Sequence, residues 1–196
     1  MTGIILAGGE SRRMGREKAF LEVGGKPLIE HILAVYTGLF DRTVIVTRWP
    51  ERFASCRADV VRDALATPGP LTGIYTGLLH SQDDLNFVAA CDMPFLDQGL
   101  IRHMQRLADG HDAVVPKIGE YLEPLHAFYR RGVAPVILEQ VRKQDLRIRS
   151  IFRHIRVRYV TQEEITIHDP QQRSFRNLNT HEEYKEAVCS DWECRN

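Results

Sequence analysis

Short runs of apolar and β-branched residues alternate along the chain with longer amphipathic stretches. The runs at 3–7, 43–47, 60–62, 86–91, 113–116, 125–129 and 157–161 predict strands. Several are apolar throughout, the pattern of strands covered by helices on both faces. Between them apolar residues return at helical spacing. Pro27 suits a helix start, and Leu28, Ile32 and Val35 then share one face. Further helices are predicted over 72–80, 98–107 and 133–143, and a last one begins at Thr180, where Thr180 and Glu183 have the spacing of a capping box. Strand–helix alternation over the first 110 residues predicts an α/β fold, a three-layer αβα, Rossmann-like arrangement around a mostly parallel sheet. With no internal repeat, low-complexity tract or linker, 1–196 reads as one domain.

Composition narrows the classes of function. Of the 196 residues 43% are apolar and 27% charged, and 26 basic residues balance 26 acidic ones to a net charge of zero. A chain of this size buries about 70% of its unfolded surface and needs no disulfide to hold a core. Apolar and charged residues this well mixed exclude wholesale disorder. The neutral total argues against a protein that coats nucleic acid or an anionic membrane through its global field, while leaving room for a local anion site. The longest uncharged stretch, 65–82, is interrupted by Pro68, Pro70 and glycines and cannot span a membrane. The opening residues have neither the basic leader nor the apolar length of a signal peptide. Cys56, Cys91, Cys189 and Cys194, none in a C-x-x-C pair, are therefore expected as reduced thiols of a cytoplasmic protein.

In a parallel sheet covered on both faces, ligands bind outside the carboxyl ends of the strands, so the residues just after Ala7, Thr47, Arg62 and Cys91 are the informative ones. After the first strand runs Leu6-Ala7-Gly8-Gly9-Glu10-Ser11-Arg12-Arg13-Met14-Gly15-Arg16-Glu17-Lys18-Ala19. Adjacent glycines let the backbone turn sharply and bring its N–H groups to a ligand; Arg13 and Lys18 add positive charge, and the combination suits a polyphosphate. The spacing fits neither a P-loop, since five residues separate Gly9 from Gly15, nor G-x-G-x-x-G, since Gly8 and Gly9 adjoin. Spacing alone leaves open a Gly-rich turn with solvated basic residues.

The run resembles, at every fixed position of Leu-Ala-Gly-Gly-x-Ser-x-Arg-Met-Gly-x-x-Lys-Ala, the signature loop of the MobA family. These are the molybdenum cofactor guanylyltransferases, within a nucleotidyltransferase class that also makes nucleotide sugars. The Gly8-Gly9 pair looks like the guanylyl-transferring branch; related cytidylyltransferases more often carry Ala-Ala-Gly. Further motifs follow in the family's order. Asp63, with Gly69-Pro70-Leu71-Thr72-Gly73, is similar to its Asp followed by Gly-Pro-Leu-x-Gly, and Cys91-Asp92-Met93-Pro94 to its Cys-Asp-x-Pro. Glu123-Pro124-Leu125-His126-Ala127-Phe128-Tyr129 resembles its Gln-Pro-Leu-x-Ala-x-Tyr, and Phe175-Arg176-Asn177-Leu178-Asn179-Thr180 its Phe-x-Asn-hydrophobic-Asn-Thr. The match runs from Ile4 to about Tyr184.

The resemblance implies a nucleotidyltransferase fold that transfers GMP from GTP to the phosphate of a molybdopterin-type molybdenum cofactor, with Mg²⁺ as cofactor. It implies GTP binding by Leu6, Ala7, Gly8, Gly9, Lys18, Asp63, Gly73 and Asp92, with Asp63 reading guanine's ring N–H and amino group. Arg13, Lys18 and Asp92 are the implied catalytic residues, Asp92 the metal ligand, and Asn177 and Asn179 the acceptor-binding pair. Asp92 stands out physically as well, since a carboxylate ending an apolar strand is unfavourable unless paired or holding a metal; capping a helix that begins at Pro94 is the alternative. Cys91 reads as a small core residue. Asp63 has an alternative as a turn cap, His126 as a core or surface residue, and the two asparagines as turn stabilisers. Two places depart from the family. Thr47-Arg48 stands where an asparagine commonly contacts the nucleotide, and Glu123 replaces a glutamine. The stretch 142–158 carries seven basic residues against Asp145, either a docking surface for an anionic acceptor or a cofactor-delivery protein, or a solvated helix face. Another base or acceptor (CTP, a sugar phosphate), or a nucleotide-binding module without catalysis, are the rival functions.

Overall fold

In the computed structural model of the protein, residues 1–8, 18–178 and 183 are described. The chain forms β1 (Thr2–Leu6), the short pair β2 (Glu22–Val23) and β3 (Lys26–Pro27), α1 (Leu28–Thr37), β4 (Arg42–Thr47), β5 (Asp59–Arg62) and α2 (Pro70–His80). There follow β6 (Leu85–Ala90), α3 (Gln98–Arg106), β7 (Ala113–Ile118), β8 (Tyr121–Leu122), β9 (His126–Arg130), α4 (Ala134–Arg142), β10 (Val157–Val160) and α5 (Gln162–His168). The principal sheet runs β5-β4-β1-β6-β9-β7-β10, with β8 pairing to β7. Neighbours among β5, β4, β1 and β6 are parallel, as are β7 and β10, whereas β9 is antiparallel to both β6 and β7. The predicted mostly parallel α/β sheet is therefore present, with β9 reversed within it and the short β8 antiparallel at β7.

Two apolar layers cover the sheet, as its doubly apolar strands require. Ile4, Val46 and Val88 pack with Ile74 and Leu78 of α2 and Ile137 of α4. Ile5, Ile45 and Phe87 pack on the other side with Ile32 of α1, Leu100 of α3 and Ile165 of α5. Alternation of Ile4 and Ile5 on consecutive positions is the period-two geometry of a strand. Helix α2 lies so close to β1 that a Cβ at Gly77 would stand 2.5 Å from Ile4 Cγ2.

Boundaries differ from the sequence expectation where local chemistry intervenes. Helix α2 starts at Pro70, two residues before the predicted 72, because a proline in the first helical turn leaves no backbone donor unsatisfied. Thr161, expected to end a strand, instead caps α5: its hydroxyl accepts from Glu164 N–H and the Glu164 carboxylate accepts from Thr161 N–H at 2.8 Å. That is the same capping-box signature read at Thr180 and Glu183. The β2–β3 hairpin, also unforeseen, turns on Gly24 and Gly25 with φ of 56° and 75°, the two left-handed positions that a tight two-residue hairpin needs. The helix expected from Thr180 lies outside the described residues.

Candidate functional site

The carboxyl ends of β1, β4, β5 and β6, together with the segment that leads into the reversed β9, enclose a cleft of about 390 Å³. Leu6, Ala7 and Gly8 of the first loop line it. Ladder bonds from Ala7 N–H to Val46 carbonyl (2.8 Å) and from Cys91 N–H to Leu6 carbonyl (3.1 Å) hold that loop between its neighbouring strands. A Cβ at Gly8 would meet nothing within 4 Å, so the backbone faces open cleft there. Gly9 and Arg13 lie outside the described residues.

Lys18, at the start of the 3-10 turn Lys18–Phe20, returns to the cleft opposite Asp92. Its Nζ stands 3.5 Å from Asp92 Oδ2, with the two side chains 24% and 20% exposed, so the pair is sheltered yet reachable. The alternative role for Asp92 falls away. No helix begins at Pro94; α3 is capped by Asp97, whose carboxylate accepts from Leu100 N–H at 2.7 Å. The Asp92 carbonyl accepts from Leu178 N–H at 3.0 Å, and this bond draws the 175–178 segment in and places Asn177 on the cleft wall. Asn179 lies outside the described residues.

Asp63 enters the cleft from the end of β5. Its Oδ1 accepts from the Thr76 hydroxyl at 2.8 Å, and its Oδ2 has only a long contact, 3.4 Å, with a Thr72 hydroxyl better placed on the Gly69 carbonyl at 2.7 Å. One oxygen thus fastens the loop to α2 and the other retains acceptor capacity. Gly73 also has a packing reason to be glycine, since its Cβ would sit 3.2 Å from Leu6 Cδ2 and press α2 away from β1.

Of the residues left open by the sequence, Thr47, Arg48 and Glu123 join the cleft. Burial raises the Glu123 carboxyl pKa above its ordinary value. His126 does not join. It is fully buried, packed edge-on against Phe87 (5.0 Å) and near Phe175 (4.9 Å), and desolvation lowers its pKa from 6.5 to about 3. Cys91 lines the cleft and packs on the core beside it. Ile148, from the 3-10 helix Ile148–His154, was missed by sequence reading; no motif marks it, because only folding brings it there. The basic stretch is largely tied up with acids, one of them distant in sequence: Lys143 pairs with Glu139, Arg147 with Asp145, Arg158 with Glu164, and Arg156 with the remote Asp112.

The chain matches the MobA-like NTP transferase domain over residues 3–162. It belongs to that family. The "molybdenum cofactor guanylyltransferase" of Desulfosudis oleivorans is 36% identical, over 95% of this chain and 94% of the relative. A "probable molybdenum cofactor guanylyltransferase" of Pelotomaculum thermopropionicum is 37% identical over 91% and 87%. Among solved structures, molybdopterin-guanine dinucleotide biosynthesis protein A from Archaeoglobus fulgidus superposes with a TM-score of 0.85 at 32% identity, covering 97% of this chain and 99% of that one. A cytidylyltransferase from Thermus thermophilus, at 16% identity and a TM-score of 0.70, shares the fold. As a MobA-like transferase the chain is a nucleotidyltransferase. Among the described residues no helix is long and apolar enough to cross a membrane.

Proposed function

We propose that this MobA-like transferase moves GMP from GTP to the terminal phosphate of a molybdopterin-type cofactor, releasing pyrophosphate. The observation that carries the reading is the Lys18–Asp92 pair at 3.5 Å, in a cleft that also holds the Gly8 backbone and Asp63. The attacking phosphate monoester, with a second pKa of about 6, is largely dianionic at neutral pH and needs no general base. The chain's task is to align two anions and offset the charge of the departing pyrophosphate. Lys18 and the first-loop backbone take that role, joined by Arg13. Asp63 accepts guanine's ring N–H and amino hydrogens, Leu6, Ala7 and Gly73 wall the nucleotide, and Asn177 with Asn179 contacts the acceptor.

Asp92 fits Mg²⁺. The ion takes oxygen ligands, keeps several waters and commonly uses one or two carboxylates plus substrate phosphates. Asp92 would hold the ion as its protein carboxylate, with waters and substrate oxygens as the further ligands such an ion ordinarily takes. When bound, the ion supplies positive charge to the phosphates.

The test is incubation with GTP labelled at the α-phosphate, Mg²⁺ and purified molybdopterin, with product identification and pyrophosphate release compared across four nucleoside triphosphates. A guanine dinucleotide product formed from GTP alone is expected. Turnover with CTP or with a sugar phosphate instead would change the base or the acceptor. Tight GTP binding with no turnover on any acceptor would make the chain a binding module.

A further inference from the structure

Glu123 is a cleft carboxylate that no contact among the described residues explains. It is half-buried, and among the described residues its side chain neither accepts a hydrogen bond nor meets a cation. Its backbone, by contrast, is pinned: its N–H donates to the Pro116 carbonyl at 3.0 Å and its carbonyl accepts from His126 N–H at 3.1 Å. Next to it the Tyr129 hydroxyl donates to the Pro124 carbonyl at 2.8 Å. A rigid platform therefore holds a partly desolvated acceptor without a donor, an unfavourable state until a ligand supplies one.

Its position says which ligand. In the order β5-β4-β1-β6-β9, Asp63 follows β5 and Glu123 precedes β9, four strands apart. At about 4.8 Å per strand that is roughly 19 Å along the sheet edge. Gly8, Lys18 and Asp92 lie between them. The proposed reaction joins two molecules through phosphates, and each ends in a heterocycle whose pyrimidine ring carries an amino group, a ring N–H and an oxo group in a row along one edge: guanine in one, the pterin in the other. That edge offers a ring N–H beside an amino N–H, two parallel donors that one carboxylate accepts together. Leu125, two residues after Glu123, and Ile148 also line the cleft and give it apolar surface suited to a flat ring. A bare carboxylate has no attraction for the phosphates themselves.

We propose that Glu123 accepts the ring N–H and 2-amino hydrogens of the acceptor's pterin, as the counterpart at the far end of the cleft to Asp63 with guanine. The inference rests on the functional reading above. Its test is direct titration of wild type, Glu123→Gln and Glu123→Ala with molybdopterin and, separately, with GTP, alongside pyrophosphate release at varied Mg²⁺. The expected result is molybdopterin binding weakened ten- to hundredfold in both variants, with GTP affinity and the Mg²⁺ requirement unchanged. Glu123→Gln keeps the wild-type thermal midpoint or exceeds it, since no internal partner is lost. Unaltered molybdopterin binding would overturn the inference, as would a loss falling on GTP or on the Mg²⁺ requirement, while wild-type turnover would leave the functional reading standing. Absence of molybdopterin binding and of turnover in the wild type would overturn both together.

Discussion

The two halves of the sheet reach the cleft in opposite ways. In the half built from β5, β4, β1 and β6 every strand points its carboxyl end at the cleft, so Gly8, Arg48, Asp63 and Asp92 are all delivered by residues that follow strands. In the other half β9 is reversed, and the segment that precedes it, 123–125, arrives instead. For the proposed reaction, the first half supplies the cation, the glycine backbone and the sheltered carboxylates assigned to the nucleoside triphosphate. The second supplies Glu123, a carboxylate without a side-chain partner among the described residues, and the apolar Leu125. Reversing one strand lets a single sheet edge carry two chemically different linings, because the leading and trailing loops of a strand are separate stretches of sequence.

The largest expected effect that tests this division is in the first half. Asp92→Ala should lower pyrophosphate release by on the order of 10³-fold, while the thermal midpoint stays near wild type because the side-chain partner of Asp92 among the described residues is the partly exposed Lys18. Undiminished turnover would remove Asp92 from the chemistry. Next comes the reversed strand. His126, lowered from 6.5 to about 3 by burial, resists the proton that the unfolded chain accepts near 6.5. Its contribution is complete above that pH and is lost as pH falls toward 3, at about 1.4 kcal/mol per unit. His126→Leu should therefore flatten the acid side of the stability profile, read by denaturant melts at pH 7, 6 and 5.

Smaller effects return to the nucleotide side. A methyl group at Gly77 would press on Ile4, so Gly77→Ala should destabilise by about 1–3 kcal/mol. By tilting α2, whose first turn lines the cleft, it should also raise KM for GTP. Asp63→Asn should raise KM for GTP about tenfold and narrow the preference for GTP over inosine triphosphate, which lacks the amino group; an unchanged preference would leave Asp63 as a loop fastener. The least is expected from the basic stretch. Arg147 is 78% exposed and pairs with Asp145 only two residues away, so Arg147→Ala should shift the thermal midpoint by less than about 2 °C.

Legibility in the sequence followed the range of the forces involved. Strands β1, β4 and β6 and helices α1 and α3 announce themselves through apolar periodicity, and the first loop and the Asp92 turn through residue types that few other sites combine. The capping box that opens α5 was equally local and equally readable at Thr161 and Glu164, but the β-branched run before it drew the boundary one residue too far. The reversal of β9 leaves no mark, because a strand's apolar pattern is the same in either direction. Asp63 shows a further limit: its residue type suggested a base contact or a turn cap, and folding gave its two oxygens different surroundings.

By itself the sequence determined that a mostly parallel, doubly covered sheet forms, and that a glycine-rich turn, a lysine and an aspartate stand at its strand ends, since pattern and residue type act over a few neighbours. Only the tertiary structure decided that Lys18 and Asp92 meet, that His126 is sealed in the core, and that Glu123 and Ile148 line the cleft. Each of those depends on which strand lies beside which and in what direction, and that follows from packing the whole chain at once.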